Sequence, residues 1–147
     1  MGRIREALRR REKIAVFGDY DVDGISGTAI LVLFFRQLGL QVGAFLPHRV
    51  EEGYGLSKEA IERMRSWGAK LVITVDNGSS SRREIAYGKS LGLDFVITDH
   101  HEVEDLPDSE VPVLNPKLPS ERYPFRELSG SAVAFKLVWA LAQELSG

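Results

Sequence analysis

Short apolar runs alternate along this chain with longer segments in which apolar positions recur at helical spacing. The apolar runs predict strands at residues 14–18, 41–47, 70–76, 94–99 and 111–116. The helical patterns cover residues 4–12, 26–39, 57–68, 81–92 and 129–145. Because the strands are continuously apolar and most are followed by a helix, they predict a parallel sheet covered on both faces. We therefore expect an α/β fold with about five parallel strands, doubly wound in the order 2-1-3-4-5.

Composition narrows the class of protein. The chain has 147 residues, 44% of them hydrophobic and 27% charged, which fits one globular domain. Its net charge of −2 means that any nucleic-acid binding must come from a local patch. There is no cysteine, so disulfides, thiolate zinc sites and cysteine catalysis are excluded within it. The charged N-terminus and the lack of a membrane-length apolar run predict a cytoplasmic protein without a membrane partner.

The stretch FGDYDVDGISG, residues 17–27, carries three aspartates at alternate positions before a glycine. This pattern also opens an EF-hand calcium loop. That loop requires a glutamate at its twelfth position, where this chain has Ile30, and a helix before it, where this chain has a predicted strand. The calcium loop is therefore excluded.

Ligand-type residues follow three of the predicted strands. They are Asp19, Asp21, Asp23, Asp76, Asp99, His100 and His101. In an open parallel sheet the carboxyl ends of neighbouring strands meet at one edge, where ligands bind. Five carboxylates crowded there require counter-charge, and divalent cations such as Mn²⁺ or Mg²⁺ suit carboxylate and imidazole ligands.

Each of these residues also has an ordinary structural interpretation. A single aspartate after a strand, such as Asp19, is usually a turn former or a helix cap. A single histidine is more often structural than catalytic. The metal-site interpretation rests on three separate strand ends that all carry ligand-type residues.

Several of these motifs resemble a known family. DHH at 99–101, GDYDVDG at 18–24 and VDNG at 75–78 resemble the first three motifs of the DHH phosphoesterase superfamily. Within it, three further segments resemble the RecJ-type exonucleases that are specific for single-stranded DNA. These segments are PHRVEEGYGLS (47–57), LNPK (114–117) and LSGSAVAFKL (128–137).

The resemblance implies a set of metal ligands. Asp21 and Asp23 would each hold one of two Mn²⁺ or Mg²⁺ ions, and Asp76 would bridge them. His100 would ligate the ion held by Asp23, and Asp19 is a further candidate ligand.

The resemblance also implies the reaction. His101 would face the scissile phosphate or its leaving group, and Asp99 would steady the histidines. Two cations about 3.5–4 Å apart activate a bridging water and stabilise the attacking and leaving oxygens. The expected reaction is hydrolysis of single-stranded DNA from its 5′ end, in DNA repair or recombination.

Two departures from the family pattern matter. Phe17 stands where the superfamily often has a metal-binding histidine, so one ion would have one ligand fewer. The family also has a fourth motif with a metal-binding aspartate, whereas no aspartate follows Asp108 here. We therefore expect residues 1–147 to be the catalytic domain of a longer protein, with the fourth motif and a second domain in its missing C-terminal half. Alone, the chain would be weak or inactive.

Candidate substrate contacts lie after the second and third strands. Arg49, His48 and Tyr54 could contact phosphate or stack on a base, as in proteins that bind single strands. Asn77 and the serines at 79–81 precede a helix whose N-terminus could hold an anion. The tryptophans at 67 and 139 are predicted to lie in the core.

Three alternative functions remain open from the sequence. A haloacid-dehalogenase-like phosphatase also places D-x-D after its first strand, but it has no use for paired histidines. A small-nucleotide phosphodiesterase or pyrophosphatase of the same superfamily would share the metal site. A catalytically silent scaffold is disfavoured because Asp21, Asp23, Asp76 and His100 are all present.

Overall fold

The computed structural model describes residues 1–47 and 54–147. Its helices are α1 (Gly2–Arg10), α2 (Val22–Gln37), α3 (Lys58–Trp67), α4 (Arg82–Ser90) and α5 (Gly130–Ser146). Its strands are β1 (Ile14–Phe17), β2 (Val42–Phe45), β3 (Leu71–Val75), β4 (Asp94–Thr98) and β5 (Val113–Leu114).

The five strands form one parallel sheet in the order β2-β1-β3-β4-β5. This confirms the predicted fold class and strand order. In the register, Phe17 at the end of β1 pairs with Thr74 near the end of β3, and Val75 pairs with Thr98 at the end of β4. The loops after these three neighbouring strands therefore leave the sheet at the same edge.

The hydrophobic core lies in two layers because successive strand residues point to opposite faces. Ile14 and Val16 pack with α1, α2 and α5 on one face. Ala15 and Phe17 pack with α3 and α4 on the other face. Both faces of the sheet are thus covered, as its continuously apolar strands require.

Helix α2 begins four residues earlier than the sequence pattern predicted. The predicted start was Ser26, whereas the helix runs from Val22 and Asp21 is its N-cap. The Asp21 carboxylate accepts a hydrogen bond from the backbone N–H of Gly24, at 2.7 Å. This cap satisfies an amide that has no partner within the helix. The third aspartate of the motif, Asp23, consequently lies in the first turn of the helix.

Helices α2 and α5 pack against each other and are the most apolar helices of the fold. Among the helices that the structure describes, none is long and apolar enough to cross a bilayer.

The prediction that both tryptophans lie in the core was wrong for Trp139, which is 49% exposed. Its apolar spacing reflects a second apolar face of α5 that points away from the sheet, next to the equally exposed Phe135. Trp67 is half-buried, packs edge-on against Phe45 and lies under the Lys13 ammonium.

Two phenylalanines at helical positions provide a matched test of this core. Phe35 is fully buried between α2 and the sheet, whereas Phe135 is 54% exposed. We expect Phe35→Ala to lower the free energy of unfolding by about 3–5 kcal/mol, because it leaves a cavity. Phe135→Ala should change it by about 0.5 kcal/mol or less. Urea denaturation of both variants measures the difference, and equal losses would contradict the assigned core.

Candidate metal centre

The loops after β1, β3 and β4 bring the predicted ligand residues together at one edge of the sheet. Asp19, Asp76 and Asp99 are each 2% exposed or less, although each carries a carboxylate. Among the described residues, two groups of three place their ligand atoms within 4.8 Å of one another. One group is Asp76, His100 and His101, and the other is Asp19, Asp21 and Asp76.

Asp76 belongs to both groups and occupies a strained position. Its φ of 64° lies in the left-handed region, which costs a residue other than glycine about 1–3 kcal/mol. The turn is held by Asn77, whose carbonyl accepts from the Thr74 hydroxyl at 2.8 Å and whose amide donates to the Val75 carbonyl at 2.9 Å. The Asp76 N–H donates to the Thr98 carbonyl at 3.0 Å. Strand pairing and the turn together keep this carboxylate at the shared position.

One oxygen of Asp76 fits a metal ligand better than a hydrogen-bond acceptor. Its Oδ1 is buried and accepts no hydrogen bond from any described residue. Nε2 of His100 lies 2.8 Å away, but without the alignment of a hydrogen bond. Two ligand atoms on one octahedral cation are about 3 Å apart, given metal–ligand distances near 2.1 Å. The donor set therefore fits a divalent cation such as Mn²⁺ or Mg²⁺.

Asp99 contacts both histidines that follow it. Its Oδ1 lies 2.7 Å from Nδ1 of His101 and accepts the His100 N–H at 2.8 Å. Its Oδ2 accepts the Ser79 N–H at 3.0 Å. The Ser79 N–H, which belongs to the predicted anion-binding turn, therefore already donates to a carboxylate of the protein itself.

Asp23 lies at the rim of the cluster and outside both three-residue groups. Its Oδ2 is 3.6 Å from Nε2 of His100. The family resemblance implied that these two residues bind the same ion. Its two oxygens also accept the backbone N–H groups of Gly130 and Ser131, at 2.6 and 2.7 Å. Burial raises the pKa of the Asp23 carboxyl, but a hydrogen bond with the Ser131 side chain, these two backbone hydrogen bonds and the nearby His100 outweigh burial and hold the pKa below its usual range.

Crowding of the carboxylates disfavours their ionised forms in the absence of a cation. Burial, followed by the charges of Asp23 and Asp21, raises the pKa of the Asp76 carboxyl to about 7. Burial also raises the pKa of Asp19, against the hydrogen bond from Tyr20. A bound cation would supply the counter-charge that these buried groups lack.

Four residues were predicted to contact the substrate, and the structure describes two of them, Tyr54 and Asn77. His48 and Arg49 lie outside the described residues. The Tyr54 hydroxyl lies 3.3 Å from the Asp76 carbonyl and 3.1 Å from Nε2 of His101. Burial and the nearby carboxylates raise the pKa of that hydroxyl, so it remains protonated. Asn77 is 2% exposed and is held inside the turn, so it lines the site by its backbone more than by a free side chain.

A cleft of about 450 Å³ opens beside His101. Tyr54, Asn77, Gly78, Ser80, Ser81 and Glu104 are among the residues that line it. The cleft reaches the exposed side of the His101 ring and gives a ligand access to the cluster.

Sequence reasoning missed two supports of the site. Asn115 is buried and donates to the Ser79 hydroxyl and to the His101 carbonyl, both at 2.9 Å. The LNPK motif carried only the family resemblance. The sequence pattern predicted a helix over 129–145, but nothing local indicated that its first amides meet Asp23.

The fold and the cluster define an α/β domain with carboxylate and imidazole groups suited to a divalent cation at the carboxyl edge of its sheet. Residues 13–146 match the DHH family, N-terminal domain, and the chain belongs to this family. Membership excludes the haloacid-dehalogenase alternative.

Curated relatives of this chain include RecJ proteins from several bacteria. The single-stranded-DNA-specific exonuclease RecJ of Bacillus subtilis is 44% identical over 144 residues, or 97% of this chain and 18% of the relative. The Escherichia coli RecJ is 41% identical over 94% of this chain and 24% of the relative. The chain therefore spans about a fifth to a quarter of the length of these curated relatives.

Solved structures agree with this assignment. A crystal structure of exonuclease RecJ bound to manganese matches 98% of this chain and 36% of that chain, with a TM-score of 0.86 and 38% identity. RecJ of Thermus thermophilus in complex with Mn²⁺ matches 99% of this chain and 20% of that chain, with a TM-score of 0.80 and 33% identity.

The raised pKa of Asp76 predicts how the metal-free chain responds to pH. The folded-state pKa of about 7 lies above the usual value of 3.8, so the protonated Asp76 carboxyl contributes to the free energy of unfolding. This contribution is complete below pH 3.8. This contribution is lost as the pH rises through about 7. In chelator, lowering the pH from 7 to 5 should therefore stabilise the chain by about 2 kcal/mol through this group.

Urea denaturation of the wild type and of Asp76→Asn at both pH values measures this contribution. The asparagine keeps the shape of the side chain and cannot titrate, so its stability should depend less on pH. The same pH dependence in both proteins would show that Asp76 is not the titrating group.

Proposed function

We propose that this chain is the metal-binding catalytic domain of a RecJ-type exonuclease, which hydrolyses phosphodiester bonds of single-stranded DNA from the 5′ end. The observation that carries the proposal is the position of Asp76, whose buried carboxylate is common to both groups of ligand atoms. A carboxylate with ligands on both sides is what a two-metal site requires. Support also comes from the relatives, which are named single-stranded-DNA-specific exonucleases.

The residues that would hold the cations follow from these groups. Asp21 and Asp76 would bind one Mn²⁺ or Mg²⁺, and Asp76 with His100 would bind the other. Asp19 is the further ligand beside Asp21. Asp23 would contribute to the second ion through Oδ2, which lies 3.6 Å from Nε2 of His100. When bound, the pair of cations activates a water molecule and stabilises charge on the attacking and leaving oxygens.

His101 has the surroundings of a proton donor to the leaving oxygen. Oδ1 of Asp99 lies 2.7 Å from Nδ1, which fixes the ring orientation. The ring is partly exposed to the cleft, and the Tyr54 hydroxyl lies 3.1 Å from Nε2. Proton transfer from Nε2 would accompany breakage of the phosphorus–oxygen bond.

The cleft beside His101 would receive the nucleotide adjacent to the scissile phosphate. Tyr54 is 58% exposed and packs edge-on against the His101 ring, so one face of the phenol can stack on a base. Stacking tolerates every base, which suits an enzyme that removes nucleotides without sequence preference. Arg49 and His48 are the candidates for contacts with the DNA backbone.

Full activity would require the rest of the parent protein. The relatives are about four to six times longer than the aligned region, and no aspartate follows Asp108 to serve as the fourth-motif ligand. We propose that the longer parent protein acts on DNA in the cytoplasm. The chain of 147 residues by itself would bind metal and hydrolyse DNA only slowly.

Manganese binding is the first test. Calorimetric titration of the chain with Mn²⁺ should give a signal that Asp76→Ala and His100→Ala each weaken by about 10- to 100-fold or more, since both remove ligand atoms. Asp105→Ala is the control, because that exposed carboxylate pairs with Arg82 away from the cluster. Binding that survives both ligand substitutions would contradict the assigned site, and an effect of Asp105→Ala would show that general charge accounts for the binding.

Nuclease activity of the parent protein tests the substrate. With Mn²⁺ and a 5′-labelled single strand, we expect release of labelled mononucleotide. The rate for Asp76→Ala should be at least about 100-fold lower than that of the wild type. A 3′-labelled strand and a duplex are the controls for polarity and strandedness. Hydrolysis confined to dinucleotides or pyrophosphate would instead support the small-nucleotide alternative.

A further inference from the structure

The start of α5 meets the metal centre from the opposite end of the chain. The backbone N–H of Gly130 donates to Oδ2 of Asp23 and that of Ser131 donates to Oδ1, across more than a hundred residues of sequence. First-turn amides have no acceptor within their own helix. The Asp23 carboxylate therefore satisfies two of them and lies at the positive end of the helix dipole.

Gly130 also lies directly against Asp76. A Cβ atom at this glycine would be 2.6 Å from Oδ1 and 2.7 Å from Cβ of Asp76, which is too close for any side chain. Its φ is not positive, so the backbone conformation does not require glycine. The glycine is required for space, because a larger residue would displace the carboxylate that both ligand groups share.

A second glycine allows this close approach. A Cβ atom at Gly27 of α2 would lie 2.5 Å from Cγ1 of Val75 and 3.1 Å from Cα of Ser131. The first turn of α5 is thereby seated between α2 and the end of β3. Its amides reach Asp23 without any intervening side chain.

We infer that Gly130 and the Ser131 amide are positioning groups for the metal ligands. They hold both oxygens of Asp23 so that Oδ2 lies towards His100. The absence of a side chain at Gly130 leaves space for the Asp76 carboxylate, which belongs to both groups of ligand atoms. This inference rests on the proposed metal-dependent function. It adds a role for α5, which contributes no ligand side chain and yet determines the geometry of two carboxylates.

A matched pair of glycines tests the inference. Gly2 and Gly130 are both the first residue of a helix, but the space around a Cβ at Gly2 is open. Calorimetric titration should show Mn²⁺ affinity about 10- to 100-fold lower for Gly130→Ala and unchanged for Gly2→Ala. The unfolding midpoint of each chain in chelator, measured alongside, shows whether the loss of affinity occurs in a folded protein.

An NMR measurement on the wild type keeps the test independent of folding of the variant. Titration with diamagnetic Mg²⁺ should shift the amide resonances of Gly130 and Ser131, because the carboxylate that they donate to becomes a metal ligand, and should leave that of Gly2 unmoved. If Gly130→Ala binds Mn²⁺ as tightly as the wild type, or if Mg²⁺ shifts the His100 amide but not these two, the inference is wrong while the metal site stands. If the wild type binds neither cation, the proposed function itself fails, and this inference fails with it.

Discussion

Repulsion among buried carboxylates is the constraint on which the rest of the site depends. Parallel strands with the order β2-β1-β3-β4-β5 deliver Asp19, Asp76 and Asp99 to one edge of the sheet, and the chain buries all three. Burial and mutual charge raise the pKa of Asp76 to about 7, which shows how unfavourable its ionised form is without a cation. Such an arrangement is stable when the carboxylates have counter-charge, and a cation provides it.

The backbone supplies much of what holds these charges in place. Asp23 is held by two amides of α5, Asp99 by amides of its own loop and of Ser79, and Asp21 by the amide of Gly24. Backbone N–H groups serve this purpose well because the fold already fixes their positions. Little further conformational entropy is lost when they donate to a carboxylate. Asp76 differs from the other carboxylates. Its backbone is left-handed, and its Oδ1 accepts no hydrogen bond from a described residue, so this oxygen is well suited to bind a cation.

Local patterns were sufficient for most of the fold and for the identity of the cluster. Continuously apolar strands followed by helices indicate a doubly wound sheet, and the rule that ligands bind at the carboxyl edge locates the site. Two predictions were wrong for different physical reasons. Helix α2 began early because Asp21 caps it, and Trp139 is exposed because apolar spacing does not distinguish a face on the sheet from one on the surface.

The sequence by itself determined which chemical groups are available and at which strand ends they stand. Ligand-type residues, the absence of cysteine and the DHH motif are properties of residue type and spacing, so they can be read before folding is known. Only the tertiary structure decided which ligand atoms lie within reach of one another. Asp23 lies outside both groups of ligand atoms, and α5 rather than a nearby loop holds it. The physical reason is that these distances depend on how α5 packs on α2, and that packing joins residues far apart in the chain.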